Sequence, residues 1–130
     1  MIEFHINSKS GVAPYLQLIR QVRQALRLGL LRAGDQLPTV KDVAGALAIN
    51  PNTVLKAYRE LEHDDLVTAR PGVGTFVTRT LSGPSPRAQV PLRLELQRWL
   101  DRAHRAGLDD ESIEALFRDT FRAARAEGIA

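Results

Sequence analysis

The chain has 130 residues, 44% of them hydrophobic and 25% charged, with a net charge of +3 and no cysteine. Such proportions belong to a globular domain, alone or with a helical extension, and they exclude a disulfide scaffold, a thiolate metal finger, cysteine catalysis and global disorder. No apolar stretch approaches the roughly 18 to 20 residues that a membrane span requires, and residues 1–10 hold no signal-like apolar run, so a cytoplasmic protein with no membrane partner is expected.

Ile2, Phe4 and Ile6 alternate with polar residues, the pattern of a short strand or extended arm. Pro14 suits a first helical turn, and Ile19, Val22, Leu26 and Leu30 recur at helical spacing, which predicts a first helix that continues until Ala33-Gly34 stops it. A second, short helix opens at Pro38-Thr39, with Thr39 as N-cap, Asp42 at N3 in place of the usual glutamate of a capping box, and Val43 and Leu47 facing inward. It ends near Ala48. Asn50-Pro51 is a new start signal, an N-cap residue followed by proline at N1. The third helix then runs through Val54, Ala57, Tyr58 and Leu61, whose spacings of 3, 1 and 3 define one inward stripe, and ends near His63-Asp64. Leu66–Arg70 and Thr75–Arg79 are β-prone runs about the loop Pro71-Gly-Val-Gly74, which predicts a hairpin.

Beyond it, Leu81–Pro91 contains three prolines and a glycine without periodicity and reads as a connector. In the tail, Leu92, Leu96, Trp99, Leu100 and Ala103 repeat at helical spacing up to Gly107. Asp109 caps a last helix, with Leu108 and Ile113 as a hydrophobic staple and Ile113, Leu116, Phe117, Phe121 and Ala124 as its apolar face. The expected organisation is a winged helix-turn-helix over 1–79, a linker over 80–91 and a two-helix tail over 92–130. The fold class is mainly α with a small β-hairpin.

The charge excess is confined to the first part. Residues 1–79 carry ten Lys and Arg against seven Asp and Glu, whereas residues 80–130 carry eight of each. On the third helix Asn52, Thr53, Lys56 and Arg59 lie off the apolar stripe, so its outer face offers hydrogen-bonding and cationic groups. A helix fits the major groove of B-DNA, where base edges present distinct donor and acceptor patterns between two rows of phosphates. Asn52 suits an adenine edge, Thr53 a base or phosphate, and Lys56 a phosphate or guanine. Asn50 and the free N–H groups of the helix start suit a phosphate. Lys41, Arg70 and Arg79 extend the cationic border, while Gly72 and Gly74 let the wing approach a sugar-phosphate strand. Each residue also has a plain structural role open to it: Asn50 as a cap, Asn52, Thr53 and Lys56 as a solvated helix face, the glycines as a hairpin loop.

A two-helix tail buries too little surface to stand alone. Its expected partner is a second copy, joined through Leu96, Trp99, Leu100, Ile113, Leu116, Phe117 and Phe121; packing against its own winged domain is the alternative. Two-fold pairing would also present two recognition helices to an inverted repeat. His5, His63 and His104 lack metal-ligand spacing, the glycines at 72 and 74 sit between strands rather than before a helix, and no carboxylate pair suggests a cleft. No enzyme, metal or cofactor is expected, and no residue points to an effector ligand. A winged helix that grips an acidic protein partner is the competing function.

The run from Tyr15-Leu-Gln-Leu-Ile19 to Val77, above all its stretches Ala33-Gly-Asp-Gln-Leu-Pro-Thr-Val40, Asn50-Pro-Asn-Thr-Val54, Ala57-Tyr-Arg-Glu-Leu61 and Gly72-Val-Gly-Thr-Phe-Val77, resembles the GntR family of bacterial transcription regulators over roughly half the chain. The short two-helix tail resembles its YtrA subfamily. This resemblance implies a homodimeric repressor at an inverted-repeat operator, with Lys41 where the family commonly has a DNA-contacting arginine, residues 50–56 in the major groove, and Gly72 in the wing. Pro51 and Leu55 depart from subfamilies that place DNA-contacting arginines there, so the bases those relatives read do not transfer.

Overall fold

The computed structural model describes residues 2–81 and 86–127. Its elements in chain order are α1 (Pro14–Arg27), α2 (Val40–Leu47), α3 (Pro51–His63), β1 (Val67–Arg70), β2 (Gly74–Val77), α4 (Pro86–Arg105) and α5 (Asp110–Ala126). They fall into two compact units, Met1–Arg87 and Ala88–Ala130.

The first unit is built on α3. Its stripe Val54, Ala57, Tyr58 and Leu61 is buried, as its spacing predicts, against Leu18, Ile19, Val22 and Leu26 of α1 and Val43 and Ala44 of α2. Leu66, Val67 and Val77 close the core from the hairpin side. The strands pair antiparallel in the register Val67↔Val77, Thr68↔Phe76, Ala69↔Thr75 and Arg70↔Gly74. Tyr58 donates its hydroxyl to the Pro38 carbonyl at 2.7 Å, which ties the entry of α2 to α3. Burial pushes the Tyr58 phenol well above its ordinary pKa, so it remains a neutral donor.

Two expectations change, and one alternative is decided. The first helix ends at Arg27, because Leu28 caps it and Gly29 follows with φ +73°; Leu30 keeps the helical spacing in sequence yet is 66% exposed. Of the two alternatives for residues 2–6, the arm is the one observed, with no strand there. Its backbone is held by glutamine side chains of α1 instead: the His5 N–H donates to Gln21 Oε1 at 3.1 Å, the Asn7 N–H to Gln17 Oε1 at 2.8 Å, and Gln21 Nε2 to the His5 carbonyl at 2.7 Å. The connector is shorter than 80–91, since α4 begins at Pro86 and contains Pro91. Residues 82–85 of that segment lie outside the described residues.

One feature was missed from sequence. Residues 34–37 run beside β2: the Leu37 N–H donates to the Thr75 carbonyl at 2.9 Å, the Val77 N–H to the Asp35 carbonyl at 2.8 Å, and Gln36 forms a bridge with Phe76.

The second unit is a helical hairpin. Asp109 caps α5, its Oδ1 accepting the Ser112 N–H at 2.8 Å, and this bonding holds the Asp109 carboxyl below the usual carboxylate range. Ile113 and Ala103 are buried, and Trp99 and Leu100 are half-buried. Most of the predicted apolar face is uncovered: Leu96, Leu116, Phe117 and Phe121 are between 44% and 54% exposed. No helix among the described residues is long and apolar enough to cross a membrane.

Candidate nucleic-acid interface

The turn between α2 and α3 sets the position of the outer helix. Ala48 takes the left-handed conformation, φ +54°, and only Ile49 separates it from the cap of α3. Thr39 Oγ1 accepts the Asp42 N–H at 3.1 Å to start α2, and Lys41 follows on its first turn, exposed and without a partner among the described residues.

At the start of α3, Asn50 Oδ1 accepts the Asn52 N–H at 2.8 Å, and the Thr53 N–H donates to the Asn50 carbonyl at 2.9 Å. Pro51 has no N–H. The expected seat for a phosphate on free amides of this helix start is therefore absent: its first donors are already used, and cationic side chains must meet any polyanion. Asn50 acts as the cap, which leaves only its Nδ2 unengaged by that bond. Asn52 is exposed and Thr53 half-buried at the same end. A shallow hollow lined by Asn52, Leu55, Lys56, Arg59, Glu60, His63 and Asp64 runs along the outer side of α3.

The electrostatics of that side are graded. Lys56 lies in the first half of α3 and Arg59 just past its middle, while Glu60, Glu62 and the C-cap Asp64 follow, so the N-terminal end is the part that suits a polyanion. The acidic end is occupied internally. Arg23 pairs with Asp64 at 2.8 Å, Glu62 Oε2 accepts the Ala69 N–H at 2.9 Å, and Arg79 Nη2 donates to the Asp64 carbonyl at 3.2 Å. Arg79 is thus committed to the end of α3 rather than available as part of a cationic border. Lys56 is also held, its Nζ 3.9 Å from the centroid of the Tyr15 ring on α1.

The wing is a tight turn with defined chemistry. The Val73 N–H donates to the Arg70 carbonyl at 3.0 Å, with Pro71 second and Gly72 third at φ +75°, the pattern of a type II turn that glycine best satisfies. Gly74 follows at φ +144°, and a side chain there would also run into the amide of Gln36. Gln36 Nε2 donates to the Val73 carbonyl at 3.3 Å and braces the loop from the neighbouring segment. Val73 at the tip is 62% exposed, and the Arg70 guanidinium lies 4.6 Å from the Phe76 ring. Sequence reading named Arg70, Gly72 and Gly74 but missed Gln36 and Phe76, for which neither periodicity nor a turn signal exists.

The structure therefore brings Asn50, Asn52, Thr53 and Lys56 together at one end of α3, with Lys41 on the first turn of α2 and Arg70, Gly72 and Gly74 in the wing. No group of His, Asp or Glu among the described residues is arranged to hold a metal.

Residues 14–77 match the family of bacterial regulatory proteins called the gntR family, a span from the first residue of α1 to the last of β2. The HTH-type transcriptional repressor YtrA of Bacillus subtilis is 30% identical over 109 residues, which cover 83% of this chain and 84% of that protein. The HTH-type transcriptional regulator Rv1152 of Mycobacterium tuberculosis is 45% identical over 74 residues, 57% of this chain and 61% of that one. Among solved structures, YtrA from Sulfolobus acidocaldarius, described as a GntR-family transcription factor, superposes with a TM-score of 0.53 at 26% identity, covering 75% of this chain and 97% of its own.

Proposed function

This chain belongs to the GntR family of bacterial transcription regulators, in its YtrA-like branch, and we propose that it works as a homodimeric repressor that occludes a promoter by binding an inverted-repeat operator. As a member of that family it is a DNA-binding regulator and not an enzyme. The observation that carries the residue-level reading is the outer start of α3, where Asn52 and Lys56 are exposed beside half-buried Thr53, while the opposite stripe is fully committed to the core. In this reading α3 enters the major groove, Asn52 and Thr53 read base edges, Lys41 and Arg70 contact phosphates, and the wing with Gly72 and Gly74 follows the adjacent backbone.

Dimerisation rests on the second unit. Phe117 and Phe121 stack with centroids 6.0 Å apart while both remain about half exposed, and with Leu96 and Leu116 they line a face that water disfavours. A second copy covers that face and places two α3 helices on successive half-sites. The cytoplasm is the setting this role requires. A winged helix gripping an acidic protein is the weaker reading, because the family match spans the whole of α1 to β2.

The test is a titration of a duplex selected by the protein from a random-sequence library, against a scrambled duplex, at several salt concentrations. Lys41→Ala should weaken both duplexes and reduce the salt slope by about 0.9, the value for one lost phosphate contact. Asn52→Ala should instead narrow the gap between selected and scrambled duplexes, by about tenfold. Equal affinity of the unaltered protein for both duplexes would overturn the proposal.

A further inference from the structure

Two cations of the surface just described rest on aromatic rings, Arg70 on Phe76 and Lys56 on Tyr15. Lys56 projects from the outer side of α3, one turn beyond Asn52, yet its Nζ lies 3.9 Å from the centre of the Tyr15 ring. Tyr15 sits in the first turn of α1, directly after Pro14, and is half-buried against the core. The ring is therefore a fixed feature of the module, and the ammonium rests on its electron-rich face. An unconstrained lysine has four rotatable bonds and samples a wide arc; one resting on an aromatic ring has its charge confined to a single place.

That place decides what the lysine can do. A side chain that reads a base edge must extend outward from the recognition helix toward the floor of the groove. Lys56 is turned back toward the start of α1, so its charge stands beside α3 rather than ahead of it, where the wall of a groove and its phosphates would lie. The amides at the start of α3 are already used by Asn50, which leaves side chains as the phosphate ligands at this end.

We propose that Tyr15 is a positioning residue for DNA binding: its ring holds the Lys56 ammonium against the start of α1, making Lys56 a phosphate contact and leaving base discrimination to Asn52 and Thr53. This rests on the major-groove reading of α3. Tyr15 touches no base in this arrangement; it acts through Lys56, and any aromatic ring at the position serves.

The experiment is a double-mutant cycle in the full chain, read as affinity and salt slope on the library-selected duplex and on a set of its single-base variants. Lys56→Met should lower affinity by about tenfold, reduce the salt slope by about 0.9, and leave the ranking of base variants unchanged. Tyr15→Leu should lower affinity by about fivefold, and Tyr15→Phe should restore it, since phenylalanine keeps the ring face. In the Lys56→Met background, Tyr15→Leu should cost nothing further. A reordering of base variants in Lys56→Met would overturn the phosphate assignment. Equal losses from Tyr15→Leu with and without Lys56 would show that Tyr15 acts only through folding and would overturn the positioning role; thermal unfolding of each variant separates that loss from a binding effect. If the unaltered protein itself failed to distinguish selected from scrambled duplex, the major-groove reading would fail, a different result from either of these.

Discussion

The two units treat their apolar residues in opposite ways. In the first, sixteen buried side chains form one core, and Leu18, Val22, Val54, Leu61 and Leu66 have no exposed surface. In the second, only Ala103 and Ile113 are buried among the described residues, while Leu92, Leu96, Leu116, Phe117 and Phe121 are each at least 44% exposed. Both contain regular helices with side-chain caps, α2 and α3 in the first and α5 in the second. Helix formation and core formation are thus separate achievements: amphipathic helices need a third surface to cover their apolar stripes, which α1, α2 and α3 supply to one another and two helices in a hairpin cannot.

If that contrast is sound, removing bulk from the two units should have different consequences. The largest effect on unfolding is expected from Leu61→Ala, which empties a fully buried site where α3 meets the rest of the core. It should cost about 3 kcal/mol, read as a shift in the denaturant midpoint. In the tail, Phe117→Glu should leave the unfolding of the winged unit nearly unchanged. Sedimentation should show single chains instead of pairs, and affinity for a duplex with two half-sites should fall about a hundredfold, while affinity for a single half-site stays the same. A stable dimer carrying Phe117→Glu would remove this face as the contact between copies.

The smallest effect concerns pH. Asp109 has its pKa lowered by its bonds to Ser112, so the carboxylate is favoured in the folded state. Its contribution to α5 is complete above the ordinary carboxylate range, near 4, and fades as the pH falls through the lowered value. Asp109→Asn should keep α5 capped, since asparagine is an equally good N-cap, and should remove that acid-side loss of helicity in circular dichroism. Wild-type helicity that is flat with pH on the acid side would contradict the assignment.

The candidate site was legible from sequence to the extent that its signals are local. Thr39, Asn50 and Asp109 were identified as caps because a cap is a bond between a side chain and an amide two or three residues on. The stripe on α3 followed from helical period, and the family resemblance carried by residues 15–77 agreed with both. Where local signals competed, reading failed. Leu30 continued the period of α1 although Gly29 had already ended the helix. The prolines of the connector read as breakers in sequence, although a helix accepts proline in its first turn and α4 accommodates Pro91 farther in.

What the order of residues determined by itself was which segments become helix, strand and turn, and which side of each is apolar, because those depend on neighbours within a few positions. Only the folded chain decided which polar groups remain available to a partner. Tyr15 meets Lys56, Gln36 meets Val73, and Arg79 meets Asp64 across separations that no periodicity spans. Such encounters depend on where packed elements place their side chains in space, and that placement is set by the shared core.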